Sequence, residues 1–469
     1  MPRSPTGDAA PPPRDGLPGT RRLRAIGALC FGTALVVIDG AIVTVALPTI
    51  ARDLQIASSS AVLIVTVYQL TLVMTLLPFS ALGDRIGLRT LYQYGQALFL
   101  VATILCFFSR SLPFLLVART AQGLGAAAAL SVSSALVRGT YPASQLGRGL
   151  SINGVIVASA GAISPTLGGF VLSAAPWPWV FASAAPFAIL SLLLGRALPD
   201  PEPRDVPYDM LGATLCALVF GLVIGGLESL VHGDSPVVAT AVVAAGAALG
   251  VLFVRHELKQ DQPVMPVDLL GRPVLALSAA GALTAFVASM TTLLSMPFRL
   301  QHDYGLSPAE IGAMIGTWPI VMLVISPLAG ILSDKVPAGV LGGIGMTIAT
   351  GGLLTVAWLP PQVDFFDVAW RMMLCGTGFG LFLSPNARLI VGSAPRHRAA
   401  AAGGLIATTR MTGQTLGATV FATLLAIGIG TGPTPALVAA GLTVAAGICS
   451  VARLRPSLHQ PQRDDVPDL

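Results

Sequence analysis

The chain has 469 residues, 54% of them hydrophobic and 10% charged, with a mean hydropathy of +0.78. So little polar surface excludes a soluble globule and puts the chain in lipid. The formal net charge of +5 reports topology before partners, because basic residues set the orientation of a membrane protein, and nothing in it points to nucleic acid.

Residues 1–24 open with a stretch rich in Pro, Gly and Arg that reads as a disordered cytoplasmic tail. The first apolar run, Ala25 to Pro48, is too long for a cleaved leader and is expected to span the bilayer. Further apolar runs follow at 61–82, 91–109, 113–137, 149–173, 180–198, 211–230, 236–254, 273–298, 309–332, 338–359, 366–390, 399–428 and 433–452. At one helix per run this predicts an all-α integral membrane protein with about fourteen transmembrane helices. With Arg21, Arg22 and Arg24 in the cytoplasm, most other cations fall on the same side, Arg85, Arg89, Arg138, Arg255, Lys335, Arg388 and Arg453 among them. Only Arg52, Arg110, Arg299 and Arg371 stay near the outside, so both termini are expected to be cytoplasmic. Cys30, Cys106, Cys216, Cys375 and Cys449 all lie within apolar runs and form neither a disulfide frame nor a zinc motif.

Between the second and third runs lies a short charged island, Ser80 to Thr90, echoed in shorter form by Gly330 to Lys335. Arg119 to Gly125 is likewise echoed by Arg371 with Gly376 to Gly378, and Thr166 to Gly168 by Thr415 to Gly417. Three echoes at similar separation predict two parallel halves of six helices each, at 25–200 and 266–455. The two surplus helices and their polar, proline-rich flanks occupy 201–265 as a linker, and 456–469 forms a second cytoplasmic tail.

The island resembles the signature of the major facilitator superfamily, G-x-L-[AG]-D-R-x-G-[RK]-[RK]. Residues 82 to 87 match it, with Ser80 in place of the first Gly and Leu88 in place of one basic residue. With Ile38 to Pro48, Ala118 to Gly123, Trp177 to Phe181 and Gly378 to Asn386, the chain is similar to the fourteen-helix drug:proton antiporters of that superfamily. Within them it looks most like the exporters of methyl viologen and quaternary ammonium compounds. The resemblance implies alternating access around a midplane cavity, a bacterial inner-membrane location, amphipathic cations and protons as partners, and a protein that works as a monomer.

Ionisable groups inside hydrocarbon cost about 2.5 to 3.5 kcal/mol each on insertion scales, so the few here need a reason. Asp39 and Arg119 lie in the outer halves of helices that run in opposite directions, about 13 Å and about 9 Å below their outer ends, and could meet. Asp39 is read as the proton-titrating carboxylate and Arg119 as the group that tunes it; the alternative is a static ion pair fixing two helices. The resemblance adds that the matched residues act in proton coupling. Arg410 lies near the middle of its run, and no acidic residue of the second half sits at its depth. Two readings stay open for it: hydrogen bonds to carbonyls or Gln414 that position the helix, or a response to proton release. Glu228 is expected to be an interfacial snorkelling charge.

Gly161 to Gly169 resembles the antiporter element G-x-x-x-G-P-x-x-G-G, which the family associates with exporters. Gly161, Pro165, Gly168 and Gly169 are expected to give a hinge with close packing near the junction of the halves. Gly83, Asp84, Arg85, Gly87, Arg89 and Asp334 are expected to act as latches at the cytoplasmic base of each half, holding it closed when the cavity faces out. Cavity candidates are Tyr68, Gln69, Asn153, Phe298, Trp318, Phe382, Asn386 and Arg410, since aromatic faces with a carboxylate suit a lipophilic cation. Ser307 to Glu310 reads as a helix capping box. There is no phosphate loop, metal cluster or cofactor motif, so neither an enzyme nor a cofactor is expected, and an ion gradient is the expected source of energy. Export of a specific metabolite, siderophore or antibiotic is the competing transport reading, and a non-transporting membrane receptor the remote one.

Overall fold

The structure is a computed structural model that describes residues 16–142, 145–200, 209–231, 233, 235–260, 263, 265–394 and 398–455. It is built of helices: α1 (Gly19–Asp53), α2 (Ser58–Ile86), α3 (Leu88–Phe107), α4 (Leu112–Thr140), α5 (Leu146–Ala174), α6 (Pro178–Ala182), α7 (Ala185–Gly195), α8 (Met210–Val231), α9 (Pro236–Glu257), α10 (Pro273–Tyr304), α11 (Pro308–Leu332), α12 (Ala338–Ala357), α13 (Phe365–Ser393), α14 (Ala399–Ala426) and α15 (Thr434–Ala452). Counting α6 and α7 as one interrupted helix, the described residues hold fourteen long helices, and twelve are long and apolar enough to cross a membrane. The other two, α13 and α14, carry Arg371, Asn386 and Arg388, and Arg410 and Gln414, among many Gly and Thr residues. Helices surrounded by other helices tolerate such residues, because protein rather than lipid meets them.

Turn chemistry sets several boundaries. Gly87 at φ 100° and Gly305 at φ 65° close α2 and α10 in backbone conformations that side chains disfavour. At the start of α11 the expected capping box is present: Ser307 Oγ accepts from the Glu310 backbone N–H, and the Glu310 carboxylate accepts from the Ser307 backbone N–H at 2.9 Å. Asp364 and Asp367 form a second capping box at the start of α13.

Helices α1 to α7 pack on one another, with α4 against α2 and α3 and α1 against α5 and α7. A second group forms around α10 to α15, with α13 against α11 and α12 and α15 against α10 and α12. The α8–α9 pair stands apart, with α8 against α2 and α14. Contact between the groups runs through α5 with α11, α2 with α14, and α1 with α10. One end of the molecule gathers the chain start, the end of α4 and the end of α7: Leu17 N–H donates to the Thr140 carbonyl at 3.1 Å and Arg21 Nε to the Ala197 carbonyl at 3.2 Å. At the opposite end, Ile42, Leu47, Leu294, Phe298 and Phe421 join α1, α10 and α14 in one apolar cluster across the seam.

The α5–α11 crossing depends on glycine. A Cβ on Gly169 would lie 2.4 Å from the Pro308 carbonyl oxygen, and one on Gly312 would lie 2.4 Å from that of Pro165. On the α1 side, a Cβ on Gly168 would approach the Ile42 carbonyl oxygen to 3.0 Å. Around Gly161 there is room, the nearest atom being Val37 Cγ1 at 3.8 Å. Gly169→Val is therefore expected to cost about 1 to 3 kcal/mol through overpacking. Gly161→Ala should stay within about 0.5 kcal/mol. Thermal unfolding of the two purified variants checks the contrast, and equal midpoints would remove the close crossing as its cause.

Candidate functional site

The charges inside α1 and α4 do meet. Arg119 Nη1 donates to Asp39 Oδ2 at 2.6 Å and to Gln122 Oε1 at 2.6 Å, and Gln122 Nε2 donates to Asp39 Oδ1 at 2.9 Å. The three side chains form a closed triangle. Arg119 Nε also donates to the Ile64 carbonyl at 3.1 Å, which ties the pair to α2, and Gln122 Nε2 donates to Thr103 Oγ1 at 3.0 Å, which ties it to α3. The guanidinium lies 4.2 Å from the centre of the Tyr68 ring and 5.6 Å from that of Phe181, within the range of cation–π attraction. Asp39 and Arg119 are both 0% exposed. A carboxylate and a guanidinium are tolerated there because each has an opposite charge and further hydrogen bonds, while Arg119 Nη2 is left without a partner.

Gln122 is the residue sequence reasoning left out, although it sits three positions after Arg119 and therefore on the same helix face. Thr103 carried no comparable signal. Tyr68 and Gln69 lie on α2; the Tyr68 hydroxyl and Gln69 Oε1 are buried and accept or donate no hydrogen bond. Asn153, on α5, is half-buried and likewise makes no hydrogen bond within the described residues.

The other candidates lie elsewhere. Phe298 packs on Phe421 at 5.5 Å within the apolar cluster that joins the two groups. Trp318 stacks near Phe379 at 4.9 Å and donates to Met322 Sδ at 3.2 Å, and Phe382 is buried in the same core of the second group. Asn386 donates to the Ser278 carbonyl at 3.1 Å and accepts from Arg453, whose Nη1 also donates to Ser278 Oγ at 2.9 Å. These three residues knit α10, α13 and the end of α15. Their groups face packing rather than the seam.

Two of the latch charges are paired within their own groups. Arg89 reaches Asp200 at 3.3 Å, and Asp334 pairs with Arg388. Asp84 and Arg85 are exposed and form no ion pair among the described residues. Gly83 lies tight against Val132 of α4, with a Cβ there meeting Val132 Cγ1 at 2.5 Å. One further charge departs from its sequence reading, and a second is buried at a helix end. Glu228 is buried, and its carboxylate accepts from Thr419 Oγ1 of α14 at 2.6 Å, so it is not an interfacial snorkelling group. Arg299 is buried as well and donates to the Val356 and Ala357 carbonyls at 2.7 and 3.1 Å, satisfying the free carbonyls at the end of α12.

Arg410 stands alone. It is half-buried on α14 and makes no hydrogen bond or ion pair among the described residues, neither to a carbonyl nor to Gln414. Its helix phase is set by its neighbours: Gly413 and Gly417 face α10, Met411 belongs to the apolar cluster that holds Leu72 and Leu76 of α2, and Thr419 faces Glu228 of α8. Arg410, Gln414 and Phe421 share the face between these contacts, turned toward the seam. Tyr68 lies within electrostatic reach of both Arg410 and the Asp39–Arg119 pair.

The paired charges therefore lie buried inside spanning helices of a two-group, all-α membrane fold. The sequence of residues 29–418 matches the model of the Major Facilitator Superfamily, and the chain belongs to that family as a multi-pass membrane protein. It is 41% identical over 414 residues to the uncharacterized transporter YebQ of Escherichia coli, covering 88% of this chain and 91% of that one. It is 27% identical over 401 residues to the riboflavin transporter RibZ of Clostridioides difficile, with 85% and 87% covered. Over 410 residues it is 30% identical to the multidrug resistance protein Stp of Mycobacterium tuberculosis, with 86% and 76% covered.

Proposed function

We propose that the chain is a proton-driven exporter of amphipathic organic compounds, with lipophilic cations such as quaternary ammonium compounds, methyl viologen and cationic dyes as its first substrate class. The observation that carries the coupling is the sealed Asp39–Arg119–Gln122 triangle, a carboxylate held in hydrocarbon-facing helices beside the seam. In this reading the two helix groups, six spanning helices each and joined by α8 and α9, rock about the seam. As the seam opens, water reaches Asp39, a proton moves on or off its carboxylate, and Arg119 swings between Asp39 and its other partners. The latch charges, of which Arg89 and Asp334 are paired within their own groups here, would cross to the opposite group when the cavity faces the other way. Both termini lie in the cytoplasm of a bacterial cell, and the protein acts in the inner membrane as a monomer. The similarity to Stp supports the drug-export reading.

The second reading is export of a defined metabolite, supported by the similarity to RibZ and by the charge on Arg410. Cells expressing the chain should gain resistance to, and efflux of, monovalent and divalent organic cations and neutral amphiphiles, and the efflux should collapse when the proton gradient is dissipated. Unchanged sensitivity across that whole panel would reject multidrug export and leave the metabolite reading. Efflux that survives loss of the proton gradient would reject proton coupling.

A further inference from the structure

The carboxylates of the described spans are all engaged or at helix ends. Asp39 is held by Arg119 and Gln122, and Glu228 by Thr419. In the second group Asp268 pairs with Arg398 and Asp334 with Arg388, Asp303 lies beside Arg299, and Glu310, Asp364 and Asp367 cap helices. None is left to neutralise Arg410. A guanidinium in the middle of a spanning helix is unfavourable without a counter-charge, and intramembrane charges of this kind mark substrate or ion pathways.

The groups around Arg410 are uncommitted as well. Gln414, one turn on along α14, makes no hydrogen bond within the described residues. Across the seam Gln69 lies on the α2 stripe that carries Val65, Leu72 and Leu76, the last two in one apolar cluster with Met411 of α14. The Tyr68 hydroxyl and Gln69 Oε1 have no partner. Toward the far end the same α14 face carries Phe421 against Phe298, an apolar and aromatic surface about 16 Å along the helix from Arg410. A fork of N–H donors at one end and aromatic rings at the other suits a molecule with an anionic head and a flat apolar body.

We propose that the seam binds its solute through an anionic group, a carboxylate or phosphate, gripped by Arg410 with Gln414, Tyr68 and Gln69 around it. The proposal rests on the transporter reading but not on proton coupling; it favours the second form of that reading, export of a defined metabolite, and where it holds it displaces lipophilic cations as the first substrate class. A lipid headgroup could supply the same phosphate chemistry, so the test separates the two sources.

The test is equilibrium binding to the full-length protein in nanodiscs with no gradient imposed, which keeps it independent of efflux. Fluorescein and rhodamine 123 share a xanthene ring and differ in charge, and fluorescence anisotropy reads both. Wild type should bind fluorescein at least about tenfold more tightly than rhodamine 123, the equivalent of about 1.4 kcal/mol. Arg410→Gln should erase that preference by weakening fluorescein alone, and Arg410→Lys should keep part of it. The affinity for fluorescein should be the same in phosphatidylcholine discs with or without phosphatidylglycerol. Failure of wild type to bind fluorescein, tighter binding of rhodamine 123, or equal loss of both dyes in Arg410→Gln overturns the proposal. A loss of fluorescein binding in phosphatidylglycerol discs assigns Arg410 to a lipid and overturns it too. Should the Gln variant fail to fold, the wild-type preference and the Lys variant decide.

Discussion

Everted vesicles carrying Asp39→Asn should release no protons when a transported dye is added, although the protein still inserts in the membrane. An amide keeps the size of the carboxylate, and its oxygen can still accept from Arg119, but its NH2 then faces Gln122 Nε2, so the triangle of Asp39, Arg119 and Gln122 loses its charge and one of its three sides. The variant cannot take up or give back a proton. Dye-driven proton release should therefore fall to the level of empty vesicles, while equilibrium dye binding to the purified variant persists. Proton release at the wild-type rate would show that Asp39 is a structural ion pair and that the coupling carboxylate lies elsewhere.

The largest effect on stability is expected from Arg119→Met. Removing the guanidinium leaves Asp39 buried with no counter-charge and frees the Ile64 carbonyl that Arg119 Nε now satisfies. Breaking one side of a buried pair costs about 3 to 5 kcal/mol. The double variant Asp39→Asn, Arg119→Met removes both charges and should recover most of that loss, with coupling still absent. Thermal unfolding of the two single variants and the double variant closes the cycle. If the double variant is no more stable than Arg119→Met, the cost comes from lost packing against Tyr68 and Phe181, and the charge on Asp39 is not its source.

That Asp39 and Arg119 would meet was legible because charges are scarce in spanning segments and helix rise puts these two at matching depth. The membrane environment makes that inference strong: few other partners exist. Gln122 was within reach by helical spacing, but Thr103 and the Ile64 carbonyl depend on how α3 and α2 lie against α4, which no local pattern encodes. The aromatic and amide candidates show where such reading stops. Phe382 and Asn386 lie one turn apart on one face of α13, yet that face turns inward to α10, α12 and α15. In a soluble helix the polar side would have revealed the phase. In a bundle ringed by lipid both the seam and the lipid face are largely apolar, so residue type does not tell them apart. Glu228 was misplaced for a related reason: its depth along α8 suggested the interface, and only the packing of α8 against α14 buries it.

The helix pair α8–α9 is fastened unequally. On the α14 side Thr419 donates a hydrogen bond to Glu228, whereas on the α2 side the flexible thioether of Met74 lies over Gly221. A polar bond has one preferred register, while a thioether against a glycine accepts many. If the two helix groups shift against each other, α8 should therefore travel with α14 and slide along α2. On such a stroke the pair would act as a keel fixed to one hull and sliding along the other, instead of tying the two hulls together.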